Sequence, residues 1–275
     1  INNDKNLLII SLIFISPPLN LVIHLGNPDI FYLAFLYFFI KRYKNYPITA
    51  SFIIYLFTLW KIHALAILIG FFFYSIVINQ SRVTKINFFF IILTITTYLI
   101  DLKYSEPILI PGSPDERIGF GIMHDAIQLT KFIDYRNQNF VYLFYVLISL
   151  LVLVMTIIFI RKFSTQENNL INSYEIYGLS FWFFLCMIYE NQTYRLSLFL
   201  VLLFYIYKHG NTQIKYFVIL AVFLNPVFTS DYLIFEKITL VLNRVGIYII
   251  FSYLLSLITY DMYNKIIKKL MTNLT

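Results

Sequence analysis

Residues 139–160, NFVYLFYVLISLLVLVMTIIFI, contain no charged side chain. A helix advances about 1.5 Å per residue, so a run of this length matches the hydrocarbon core of a bilayer, which is about 30 Å thick. One such run could be hidden in a soluble core, but further apolar runs recur at about 7–24, 29–40, 48–62, 63–79, 86–100, 174–190, 194–208, 214–230 and 238–260. Of the 275 residues, 60% are hydrophobic and 13% charged, against about 25% charged in soluble domains. The expected fold is therefore all-α: a polytopic transmembrane helical bundle of about nine or ten membrane segments, one integral membrane domain over 1–275. Runs that are continuously apolar rather than alternating exclude a transmembrane β-barrel.

The net charge of +7, 21 basic against 14 acidic residues, does not point to nucleic acid. The bases fall in short clusters between the runs, where they act as topology signals. These clusters are Lys41, Arg42 and Lys44; Arg82 and Lys85; Arg161 and Lys162; Lys208 and Lys215; Lys265, Lys268 and Lys269. If 48–79 is a helical hairpin broken at "WKIH", all five share one side, read as cytoplasmic. The other side then receives the Gly26–Asp29 turn, the Lys61–His63 break, the turn "YENQTYR" and a long outer loop over 101–138. That loop holds six acids and four bases, so it carries no inward signal. Its second half, "GIMHDAIQLTKFID", spaces Ile122, Ile127, Leu129, Phe132 and Ile133 as an amphipathic helix lying at the membrane interface.

Most polar residues of note share the outer side. Asn27 and Asp29 precede a greasy run, where Asn27 caps a helix and Asp29 favours its positive end, or both line a polar site. Lys61 and His63 interrupt a stretch with no other charge from Pro47 to Gln80. A cation in such a place is either an interfacial anchor beside Trp60 or part of a site. Glu190 and Arg195 flank a very short turn, as an ion pair or with Arg195 presenting its planar fork to a phosphate or carboxylate. Asp115, Glu116, Arg117, His124 and Asp125 are further loop candidates.

The four histidines are scattered without ligand spacing, so neither a metal nor another cofactor is expected. The single Cys186 cannot form an intrachain disulfide. No phosphate-binding glycine loop, hydrolase elbow or dinucleotide fingerprint is present.

The block "SPP…HLGNPDIFYLAFLYFFIKRYKNYPITASFIIYLFTLWKIHALAIL" resembles the central part of glycosyltransferase family 87 and its relatives in the GT-C superfamily. There a Gly-Asn-x-Asp turn opens a helix, a basic loop follows, and the next long helix ends at a Lys shortly before a Pro. Gly26, Asn27, Asp29 and Lys61 fit, whereas Ala64 stands where Pro is expected. "IGFGIMH" echoes a Ser-Phe-Gly-like element, and "NQTYRLSLFLVLLFYI" resembles a polar turn followed by Tyr-Arg. The match covers about 11–80 well and 105–208 loosely.

The resemblance implies a multi-pass bacterial inner-membrane transferase with its site facing outward. It would move a hexosyl or mannosyl group from a polyprenyl-phosphate-linked donor to a glycan or glycolipid acceptor. Lys61 and Arg195 would meet the donor phosphate, and Asn27, Asp29, His63, Arg117, Glu190 and Tyr194 would line the site. The family's usual catalytic carboxylate would lie upstream of Ile1, which makes the chain the later part of a longer protein. A cell-envelope polysaccharide polymerase and a multi-pass transporter are the alternatives. A transporter should carry its acids or bases near mid-span, and no internal repeat supports one.

Overall fold

The computed structural model describes residues 29–60, 64–104, 119–120, 122, 125–127, 138–163, 174–188, 191–192, 202, 206, 214, 216–218, 221 and 233–267. Seven long helices lie among them: α1 (Asp29–Arg42), α2 (Pro47–Trp60), α3 (Leu65–Val77), α4 (Ser81–Tyr104), α5 (Gln138–Phe163), α6 (Tyr174–Ile188) and α7 (Leu233–Met262). A short π-helical turn, Tyr263–Ile267, follows α7. The only strands among the described residues are β1 (Gly119–Phe120) and β2 (Asn191–Gln192), two residues each. The architecture is the expected all-α membrane bundle.

Among the described residues three stretches are long and apolar enough to cross a membrane: Ser81–Ile100, Asn139–Lys162 and Val241–Ile266, of 20, 24 and 26 residues. The other four helices have 13 to 15 residues, and at about 1.5 Å per residue they reach only about 20 Å. The runs expected at 7–24, 194–208 and 214–230 lie largely outside the described residues. The chain forms two compact units. One is Ile1–Tyr32, Ile118–Leu170 and Met187–Leu257; the other is Leu33–Arg117, Ile171–Cys186 and Ile258–Thr275.

In the second unit α2, α3 and α4 pack on one another. The run 48–79 is thus two short helices, with α2 ending at Trp60 and α3 beginning at Leu65. Cross-bonds give their directions. Ser51 Oγ donates to Asn87 Oδ1 at 2.6 Å, and the Thr58 and Thr94 hydroxyls bond at 3.1 Å. Both pairs are 36 residues apart, so α2 and α4 run parallel, with the two buried polar contacts seven residues apart along each helix. α3 returns between them.

A tight reversal joins α3 to α4. Asn79 takes φ 60, the left-handed region that Asn tolerates better than most residues. Gln80 N–H then reaches Ser75 O at 2.9 Å and Asn79 N–H reaches Ile76 O at 3.0 Å, closing the helix in a Schellman motif. α6 crosses α3 where two glycines meet. A Cβ on Gly70 would lie 2.5 Å from Tyr177 O, and one on Gly178 would lie 2.8 Å from Phe71 Cε1.

The parallel register sorts the connections of this unit. The 41–46 segment and the start of α4 share one end, which carries Lys41, Arg42, Lys44, Arg82 and Lys85. The ends of α2 and α4 share the other, so the 61–63 connection and the chain entering the 101–138 loop leave from the end opposite the basic clusters.

In the first unit, α5 shows an almost continuous apolar surface, with Leu143, Val146, Leu150, Val154 and Ile158 about half exposed, as a lipid-facing helix requires. The part of α7 in this unit is mostly buried, through Ile247, Ile250, Phe251, Tyr253 and Leu254. Ser252 Oγ donates to Val152 O at 3.3 Å, and the Phe159 and Tyr253 rings meet edge to face at 5.7 Å.

Candidate functional site

The polar centre of the first unit forms where the long loop meets α7. Arg244 and Tyr248 lie four residues apart, on one face of that helix. Arg244 Nε forms an ion pair with Asp125 Oδ1 at 3.0 Å, and the Tyr248 hydroxyl donates a short hydrogen bond to Asp125 Oδ2. Both carboxylate oxygens are therefore engaged. The Arg244 and Asp125 side chains are 12% and 13% exposed. At such burial, removing either partner would leave the other charge uncompensated. Close by in sequence, Asn243 Nδ2 donates to Ala221 O at 2.7 Å.

The loop segment bearing Asp125 is anchored twice. Its described residues Ile122 and 125–127 are helical, as the spacing leads one to expect, but Ile122 and Ala126 are buried within the protein. At these positions protein, rather than the lipid interface, covers the helix face. Upstream, β1 pairs antiparallel with β2, Gly119 opposite Gln192 and Phe120 opposite Asn191. Gly119 and Phe120 of the loop thus lie against Asn191 and Gln192 of the polar turn.

Asp29 is the first residue of α1, at the positive end of the helix dipole. Asn27, Lys61, His63, Arg117, Glu190, Tyr194 and Arg195 lie outside the described residues. Arg117 stands two residues before β1, while Glu190 and Tyr194 bracket β2 by one and two residues. Arg244 carries the same signal as Lys61, a cation in an apolar run, since 238–260 contains no other charged residue. Tyr248 left no signal of its own; only the loop contact marks it.

The second unit has its own charged centre. Asp261, 5% exposed, accepts a bond from the Tyr177 hydroxyl at 2.7 Å and pairs with Lys265 Nζ at 2.8 Å. It lies at the basic end, because the Tyr74 ring touches those of Tyr177 and Tyr174 and the Tyr174 hydroxyl donates to Lys41 O at 2.8 Å. Among the described residues no group of three or more His, Cys, Asp or Glu side chains converges. Comparison with family models, curated proteins and solved structures returns no match to this chain.

Proposed function

We propose that this chain is a membrane glycosyltransferase. It takes a hexosyl group, mannosyl above all, from a polyprenyl-phosphate donor at the outer face of a bacterial cytoplasmic membrane and passes it to a glycan or glycolipid acceptor. The observation that carries this reading is the β1–β2 pairing. It pairs Gly119–Phe120 with Asn191–Gln192, segments that adjoin Arg117 in sequence on one side and Glu190, Tyr194 and Arg195 on the other.

The donor is amphipathic, and its phosphate must meet cations at the water boundary while its chain stays in lipid. As the bond from the sugar to phosphate lengthens, negative charge grows on the leaving phosphate. Lys61 and Arg195 would stabilise it there. The acceptor hydroxyl loses its proton to a carboxylate acting as general base. Asp125, with both oxygens engaged, is a positioning residue that holds the loop on α7.

The test is transfer from a radiolabelled polyprenyl-phosphate hexose in vesicles bearing the full-length protein. Lys61→Ala and Arg195→Ala should each cut turnover by about 100-fold or more, the scale of losing one transition-state contact. Unchanged turnover in both variants, or solute uptake without transfer, would overturn the reading.

A further inference from the structure

Between Ile30 and Ile100 the chain contains no acidic residue, yet it carries six cations. Five of them, Lys41, Arg42, Lys44, Arg82 and Lys85, sit at one end of the second unit and are exposed. Asn87 fastens the 43–46 connection and α2 to α4: its Nδ2 donates to the Tyr43 hydroxyl at 2.8 Å and its Oδ1 accepts from Ser51. Lys44 adjoins Tyr43 in sequence, and Lys85 and Arg82 precede Asn87 by two and five residues. Lys41 and Arg42 lie over the rings of Tyr37 and Phe38. Among the described residues no carboxylate pairs with any of the five. Glu175, also at this end, faces the Tyr174 hydroxyl at 3.4 Å.

The cations continue into an apolar stripe. Arg82, Lys85, Phe89 and Ile92 follow one another at three- and four-residue steps along one face of α4. Phe89 and Ile92 are 59% and 46% exposed, and on α2 Ile48 and Phe52 are 40% and 45% exposed. Uncompensated positive charge above a bare apolar strip is the complement of a negative headgroup above an acyl chain.

We infer that this end of the second unit is a binding site for anionic phospholipid, with Lys44, Arg82 and Lys85 on the headgroup phosphate and Phe89 and Ile92 along an acyl chain. The site is independent of the proposed transfer reaction, since it uses other residues and other chemistry. It makes the basic rim a specific lipid seat as well as a topology signal.

Native mass spectrometry of the full chain, released from detergent with phosphatidylglycerol or phosphatidylcholine added, tests this. Phosphatidylglycerol should stay bound and phosphatidylcholine should not, and millimolar inorganic phosphate should fail to displace the lipid. Each cation is worth about five-fold in affinity, so the triple variant Lys44→Gln, Arg82→Gln, Lys85→Gln should lose about 100-fold. The pair Arg161→Gln, Lys162→Gln at the end of α5 should bind like the parent. Full retention by the triple variant overturns the site. So does equal loss in the α5 pair, which means diffuse charge, or a second protein copy occupying the face in phosphatidylcholine. Normal helicity of the triple variant by circular dichroism confirms that any loss belongs to the site.

Discussion

Asp125 and Arg244, 119 residues apart in sequence, meet at 3.0 Å with the Tyr248 hydroxyl on the second carboxylate oxygen. This contact fastens the long loop to α7. A largely buried pair loses most when one charge is left alone, about 3 kcal/mol or more. Arg244→Ala and Asp125→Ala should therefore each lower the thermal midpoint strongly. Asp125→Leu with Arg244→Met, which removes both charges, should cost less than either single change. A double variant worse than both singles would show that the charges contribute by something other than mutual compensation.

Sidedness is open to labelling. The parallel register of α2 and α4 sets the basic end apart from the 61–63 connection. In a background with the buried Cys186 replaced, a cysteine at 61 should react with an impermeant maleimide on intact cells. Cysteines at 44 and 82 should react only after permeabilisation. Reaction of 44 and 61 from the same face would contradict the arrangement.

How far the sequence was legible follows from what each feature depends on. Helix positions depend on local apolar runs, so α1 to α7 stand close to the runs that announce them. α4 is the instructive departure: it begins at Ser81 rather than 86, because the Asn79 reversal sets the helix start upstream of the charged first turn. The Asp125–Arg244 contact needs residues 119 apart to meet, and spacing holds no trace of that. The charge of Arg244 was visible, but its partner was not. The β1–β2 pairing is equally non-local, and two residues per strand are too few to leave an alternating pattern.

The glycine crossing predicts an ordered pair of effects. At Gly70 the obstructing atoms are backbone, Tyr177 O at 2.5 Å and Tyr177 C at 2.7 Å, and a helix backbone cannot step aside cheaply. At Gly178 the nearest atom, Phe71 Cε1 at 2.8 Å, belongs to a side chain that can rotate. Gly70→Ala should destabilise by about 1–3 kcal/mol, the usual cost of overpacking, and Gly178→Ala by less. Thermal unfolding in detergent reads both, and a reversed order would mean that the helices separate on substitution.

Tyr43 gives the alkaline prediction. It lies in the 43–46 connection, outside the spans, where burial pushes its pKa well above the ordinary 10.0; the Asn87 hydrogen bond pulls it down by less, and Tyr74 adds to the rise. The folded state therefore holds the phenolic proton more tightly than the unfolded chain does. The resulting stabilisation is complete below pH 10, where both states are protonated, and fades above it as the unfolded chain begins to ionise. Tyr43→Phe removes this ionisation together with the acceptor for Asn87 Nδ2. It should be less stable than the parent at pH 8 by about 1 kcal/mol, yet lose stability less steeply between pH 10 and 11. Parallel slopes for the two proteins in denaturant titrations over that interval would place the Tyr43 hydroxyl in contact with solvent.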